Sequence, residues 1–206
     1  MNKIIFYIIF LILNPLYSNA QKIKPIKKIK SNNRMFENDI KQAQSLEKSG
    51  LSKEAEQIYR NILNQDPTYR RAFSKLRSLL KTQNLYDELI ILADRHLNAL
   101  PNDPMVKIDQ IEIYLWAKDE SWIKMVNETI SLNLKNNQIL KNLISRIISN
   151  GYTEDAFNFI EIVREKNKQP AFYASELGSY FQMRMSFENS LENYLLYLDY
   201  NPNKYN

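Results

Sequence analysis

The chain has 206 residues and a formal net charge of +5, with no cysteine, a single histidine and three glycines. This composition excludes disulfides and a thiol-linked lipid anchor, a cysteine and histidine zinc site, and a glycine-rich phosphate loop. We therefore expect no cofactor and no metal. The chain is long enough to bury a sizeable core of helices.

The first twenty residues have the order of a secretory signal. Lys3 is a short positive start, an apolar run extends from Ile4 to Leu13, and the small residues Ser18-Asn19-Ala20 precede Gln21. The run is shorter than the roughly 20 apolar residues that span a bilayer. We predict a signal peptide over 1–20, cleaved after Ala20, and export to the periplasm or cell envelope. The alternative is an uncleaved signal that anchors the chain in the inner membrane.

Residues 21–34 form a basic linker in the predicted organisation, since Pro25 and the Ser31-Asn32-Asn33 run disfavour a stable helix. Seven of the 28 basic residues and none of the 23 acidic residues precede Met35, so 21 basic residues remain in the body. The body is therefore slightly acidic, and we expect no nucleic acid partner. The linker either contacts anionic membrane weakly or is simply solvated.

A repeat occupies the rest of the chain. Its first series of positions recurs at intervals of 34, 34, 33 and 34 residues: Ala55, Leu89, Ile123, Ala156 and Ser190. A second series lies nine residues before the first: Leu46, Leu80, Tyr114, Ile147 and Phe181. The apolar spacing within the units is helical, and Gly50, Asn84 and Gly151 stand where a first helix must end in a left-handed residue. A period near 34 residues is typical of stacked helix pairs.

The repeat resembles the tetratricopeptide (TPR) family. The fifth unit matches the family pattern best, with Leu177-Gly178, Phe181, Tyr194 and Pro202. The first unit adds Ala55, Tyr59 and Pro67. The resemblance implies an all-α fold over 35–206, a right-handed α-solenoid of about five antiparallel helix pairs. In that family the first helices commonly line a concave face that holds a peptide or a partner's helix.

Projection of the register onto that face selects candidate partner-binding residues: Lys48, Arg71, Lys81, Met105, Ile108, Glu112, Leu115, Trp116 and Phe172. The middle of this set is apolar and aromatic, and its N-terminal portion is cationic. Such a face would suit an amphipathic segment with acidic residues at one end. Trp116 is either an interface hot spot or a packing residue between neighbouring helices.

The C-terminal edge is a second candidate surface. It is predicted to leave apolar and aromatic side chains uncovered: Leu195, Tyr197, Leu198 and Tyr200. A partner, a second copy of the chain or further repeats could pair with this edge.

No catalytic constellation is recognisable. His96 lies at a position that is apolar or aromatic in the other units, which predicts a packed histidine, and Asp119-Glu120 resemble a solvated helix start. We therefore expect a binding protein and not an enzyme, an exported scaffold or adaptor for protein partners. The alternatives are a membrane-anchored assembly factor and an RNA-binding helical repeat, for which the basic pI of about 9.2 is the sole support.

Overall fold

The computed structural model describes residues 33–202, and within this range it contains ten α-helices and no strand. The helices are α1 (Asn33–Lys48), α2 (Ser52–Gln65), α3 (Arg70–Thr82), α4 (Tyr86–Ala99), α5 (Pro104–Ala117), α6 (Ser121–Leu132), α7 (Asn137–Ser149), α8 (Thr153–Asn167), α9 (Ala174–Met183) and α10 (Phe187–Tyr200). None of these helices is both long enough and apolar enough to cross a membrane. The predicted signal and nearly all of the predicted linker lie outside the described residues.

The helices pack as five consecutive pairs, α1 with α2 through α9 with α10. Successive pairs also contact one another, for example α2 with α3, α4 with α5, and α5 with α7. This arrangement is a TPR-like α-solenoid, and it confirms the fold predicted from the 34-residue period. The first helices of the pairs are α1, α3, α5, α7 and α9, and the second helices are α2, α4, α6, α8 and α10.

The same type of turn joins the two helices of each pair. One residue of every turn has a positive φ: Gly50, Asn84, Lys118, Gly151 and Met185. The following residue donates its N–H to a carbonyl five positions earlier, and the acceptors are Leu46, Leu80, Tyr114, Ile147 and Phe181. This is the hydrogen bond of a Schellman motif, which satisfies the carbonyls at a helix end. The predicted second series therefore marks the ends of the first helices.

In the third unit the buried residue of the second helix comes one position earlier than the first series predicts. Trp122 is buried, with 4% of its surface exposed, whereas Ile123 is 41% exposed. In the other units the first buried residue of the second helix bonds back four positions, as Ala55 N–H does to the Leu51 carbonyl. Trp122 N–H instead bonds three positions back to the Asp119 carbonyl at 3.3 Å, so this turn is one residue shorter. The 34-residue period by itself assigns this position to Ile123, and the structure places Trp122 there instead.

The two helices of the fifth unit approach each other closely at Gly178. Gly178 lies inside α9, and a Cβ atom built at this position would stand 2.7 Å from the ring of Tyr194 on α10. A side chain at Gly178 would displace that ring, which explains a glycine in a helix interior despite its cost of about 1 kcal/mol relative to alanine.

His96 is a packed residue, as predicted. Its ring stacks on Phe73, with centroids 4.0 Å apart and planes 10° apart, and its Nδ1–H donates to the Pro67 carbonyl at 2.7 Å. Burial lowers the pKa of His96, and the nearby charge of Arg70 lowers it further, although the hydrogen bond to Pro67 opposes this. The folded protein therefore holds this ring neutral to a lower pH than the unfolded chain does.

The lowered pKa of His96 predicts a stability change with pH. Below a pH of about 6.5 the unfolded chain binds a proton at this histidine before the folded chain does. The free energy of unfolding should therefore fall as the pH is lowered through this region, and be fully retained above it. Urea denaturation between pH ~8 and pH ~5 would measure this for the wild type and for His96→Gln. An equal decrease in both proteins would contradict the assignment to His96.

Candidate functional site on the first helices

Ion pairs cross from each first helix to the next along one side of the solenoid, which we call the first-helix face. The two residues of each ion pair lie 32 to 35 positions apart in the sequence, which is close to the length of one repeat. The pairs are Glu37 with Arg71, Arg77 with Asp109 at 2.8 Å, Glu112 with Arg146, and Lys141 with Glu176 at 2.5 Å. The face is therefore a ladder of opposite charges that ties all five first helices together.

The centre of this ladder is a charge-balanced group, the Glu112 cluster, formed by Arg77, Asp109, Glu112, Arg146 and Asn150. Arg77 approaches Glu112 at 3.3 Å, and Arg146 bonds to the same carboxylate oxygen. Asn150 donates to the other oxygen at 3.4 Å, and Asp109 receives Arg77 at 2.8 Å. A buried carboxylate is tolerated when it is paired in this way. The two cations and two carboxylates join α3, α5 and α7.

Trp116 borders the Glu112 cluster and is half-buried. Its Nε1–H donates to Asn150 Oδ1 at 2.7 Å, and the Lys81 ammonium lies 3.7 Å from the centre of its ring. The Arg77 guanidinium is 5.4 Å from the same ring. Each such cation contact stabilises an exposed ring by about 0.5–1 kcal/mol. The indole therefore packs against residues of neighbouring helices, as the packing interpretation predicts, and part of it reaches the surface.

At the N-terminal end of the face two carboxylates of α1, Glu37 and Glu47, are engaged by protein groups. Glu37 accepts hydrogen bonds from Arg71 and, at 3.1 Å, from the Tyr69 hydroxyl. The hydrogen bond from Arg71 is the main cause that lowers the pKa of Glu37. Glu47 accepts from the Tyr59 hydroxyl at 2.7 Å, and burial together with this carboxylate raises the pKa of Tyr59. Arg71 is exposed, but its charge is already compensated by Glu37.

Six of the predicted site residues reach the surface or the ladder. Lys48 and Lys81 are exposed, Arg71 is exposed and paired, and Glu112 belongs to the central cluster. Met105 is half-buried, and its sulfur lies 3.6 Å from the Asn142 amide nitrogen. Together with Trp116, these residues lie along the first-helix face. They are spread over the first three units, from Lys48 on α1 to Trp116 on α5.

The other three predicted residues do not line an open surface. Ile108, Leu115 and Phe172 are 0, 2 and 4% exposed and belong to the hydrophobic core of the C-terminal half. Helix α5 contacts α4, α6 and α7, so it buries side chains around most of its circumference. Phe172 lies in the connection before α9 and packs against Tyr173. The prediction that these three residues line the face is therefore wrong, and of the predicted apolar middle Met105 and Trp116 reach the surface.

Sequence reasoning missed four members of the central cluster: Arg77, Asp109, Arg146 and Asn150. A usable signal was present, because Glu37 and Arg71, and likewise Glu112 and Arg146, are opposite charges 34 residues apart. Residues one period apart occupy equivalent places on adjacent first helices. A search for opposite charges at that spacing would have found half of the ladder.

No protein-family model matches the chain, and no curated protein matches it. Among solved structures, YrrB, described as a TPR protein with an unusual peptide-binding site, is 14% identical, with a TM-score of 0.40 over 84% of this chain and 93% of that one. PilF of Pseudomonas aeruginosa is 15% identical, with a TM-score of 0.47 over 81% of this chain and 77% of that one. MamA is 16% identical, with a TM-score of 0.42 over 79% of this chain and 95% of that one. At these identities the likeness concerns the fold alone.

Proposed function

We propose that this chain is an interaction scaffold that binds a segment of a partner protein on the first-helix face. The observation that carries the proposal is the position of Trp116 and Lys81. The indole and the ammonium group reach the surface together at the edge of the Glu112 cluster. Tryptophan is over-represented among the residues that dominate binding energy at protein interfaces.

The ladder supports this function because it prepares the surface in advance. Ion pairs hold each first helix against the next, and the hydrogen bond from Trp116 to Asn150 fixes the orientation of the indole. A partner that binds a rigid surface loses less binding free energy to the ordering of side chains and helices. The face is thus suited to recognition and offers no free acid and base pair for catalysis among the described residues.

The charges on the face indicate the chemistry of the partner segment. Lys41 and Lys48 are exposed on α1 and form no ion pair within the described residues, and Lys81 is engaged by the Trp116 ring alone. We propose a segment that places an apolar or aromatic side chain on Trp116 and carboxylates toward the exposed lysines. The charges would steer and orient the segment, and the contact with Trp116 would supply most of the affinity.

We further propose that the scaffold acts outside the cytoplasm, in the periplasm or at the cell envelope. Support comes from the order of residues 1–20, with its positive start, apolar run and small residues before Gln21. The alternative is a chain held at the membrane by an uncleaved signal. Membrane contact by the basic linker stays a prediction.

Site-directed photo-crosslinking in intact cells tests the proposed binding face. A photoreactive residue at the exposed Ser78, on the same side of α3 as Lys81, should capture a partner protein, whereas one at the exposed Lys124 on α6 should not. Trp116→Ala should reduce the adduct about tenfold or more, as expected for an interface hot spot. Mass spectrometry of the adduct identifies the partner. It also gives the first residue of the scaffold chain in the adduct, which should be Gln21 if the signal is cleaved after Ala20.

Two controls make the crosslinking result decisive. Ile91→Ala changes an exposed apolar residue on a second helix and should leave the adduct unchanged. Circular dichroism should show that Trp116→Ala retains the helical content of the wild type. Equal capture from Ser78 and Lys124, or an adduct that Trp116→Ala does not reduce, would reject this binding face.

A further inference from the structure

The outward side of α10 carries an apolar stripe. Phe187, Leu191, Leu195 and Leu198 follow one another at helical spacing and are 68, 60, 51 and 40% exposed. Side chains at this spacing form one continuous strip along the helix. Contiguous exposed apolar surface of this kind marks an interaction site more often than it marks ordinary surface.

The stripe combines positions that are usually apolar in this repeat with one that is not. The equivalents of Leu191 and Leu198 are apolar in three of the other four units: Ile90, Ile123 and Phe157, and Leu63, Leu97 and Ile130. The positions equivalent to Leu195, five residues after the first buried residue of each second helix, are polar in the other four units: Arg60, Asp94, Asn127 and Glu161. Stacking of one helix pair on the next therefore does not require an apolar residue there. Leu195 is therefore particular to the fifth unit, and it makes the stripe continuous between Leu191 and Leu198.

An acidic edge runs beside the stripe. Glu188, Glu192 and Asp199 are exposed at helical spacing next to the leucines, and α10 contains no lysine or arginine. None of the three carboxylates forms an ion pair within residues 33–202. Uncompensated charge of one sign beside an apolar strip favours a partner of the opposite charge.

We infer that α10 is a docking surface for an amphipathic helix of a different protein, one that presents an apolar stripe edged by lysine or arginine. Its leucines or aromatic residues would cover Leu191 and Leu195, and its cations would pair with Glu188, Glu192 and Asp199. An anionic membrane surface would be repelled by the same carboxylates.

A second copy of this chain fits the surface poorly. Two α10 helices paired antiparallel about a two-fold axis bring the same edge of each helix together, so Glu192 would face the carboxylates of its counterpart. Head-to-tail stacking on α1 would give the carboxylates a cation in Lys41, but it would leave the apolar stripe against polar positions such as Asn38 and Gln42. Charge thus disfavours the two-fold pairing and polarity disfavours head-to-tail stacking, which favours a foreign basic helix with an apolar stripe over self-association.

Two synthetic peptides test the inference with the purified chain. Both are amphipathic helices with the same leucine stripe, and one has lysine edges while the other has glutamate edges. The lysine peptide should bind about tenfold more tightly in fluorescence anisotropy at moderate salt, since a few exposed ion pairs contribute modestly each. Leu195→Ser should weaken its binding about tenfold through lost apolar burial. Glu192→Lys should weaken the preference for the lysine peptide.

The matched controls make the same kinds of substitution on other helices. Ile91→Ser removes an apolar side chain that is 68% exposed on α4, and Glu154→Lys reverses an exposed charge on α8. Both should bind the lysine peptide as the wild type does. Equal affinity for the two peptides, or no effect of Leu195→Ser, would overturn the inference. So would a dimer in sedimentation that Leu195→Ser abolishes, because a second copy would then be the occupant.

Discussion

Trp122→Ala is expected to lower the free energy of unfolding by about 3–5 kcal/mol, the range for truncating a large buried aromatic residue. The Trp122 ring meets Tyr152 and Phe159 edge to face, with centroids 5.2 and 6.0 Å apart. Its removal would leave a cavity between the third and fourth helix pairs and lose both ring contacts. Equilibrium urea denaturation followed by circular dichroism measures the change.

Ile123→Ala is the matched control, because the two residues are adjacent and the 34-residue period by itself assigns the core position to Ile123. Ile123 is 41% exposed, so its truncation should cost less than about 1 kcal/mol. A larger loss from Ile123→Ala than from Trp122→Ala would mean that the long turn of the other units also occurs in the third unit, and that the register of α6 differs from the one described.

The second large effect is expected from Glu112→Ala. Glu112 and Arg77 expose 9 and 15% of their side chains, and removal of the carboxylate leaves Arg77 and Arg146 short of a partner. Breaking a buried pair costs about 3–5 kcal/mol, and we expect about 2–3 kcal/mol here because Asp109 still neutralises one guanidinium group. Thermal and urea denaturation report the loss of stability.

Glu161→Ala tests whether burial is the reason for the large effect of Glu112→Ala. Glu161 also pairs with an arginine, Arg164 at 2.8 Å, but exposes 63% of its side chain. Its removal should change stability by no more than about 0.5 kcal/mol, since exposed pairs contribute little. Similar losses from Glu112→Ala and Glu161→Ala would show that the central cluster gains nothing from its buried position.

The candidate site illustrates how far periodicity leads. The register placed Lys48, Lys81 and Trp116 on the first helices, and all three reach the surface there. It failed at Ile108 and Leu115, because helical spacing gives the direction of a side chain but not the number of neighbouring helices that cover it. Helix α5 lies between three other helices, so directions that are open elsewhere in the solenoid are closed there.

The remaining local predictions succeeded where the physics is local. Gly50 and Gly151 adopt positive φ, and Asn84 does so as the next-best residue. Lys118 and Met185 take the same conformation without any such preference, since the surrounding helix pair imposes it. His96 was identified as a packed residue from its apolar and aromatic counterparts alone, and its stacking on Phe73 agrees.

The sequence by itself determined the helical class, the five pairs and the turns between their helices, because these depend on side-chain spacing and on the φ and ψ preferences of single residues. Tertiary structure alone decided that Trp122 and not Ile123 enters the core, that α5 is buried on most sides, and that Glu112 lies between Arg77 and Arg146. Burial and charge pairing depend on how helices from different units approach one another. A turn shortened by a single residue is enough to change which side chain faces the core.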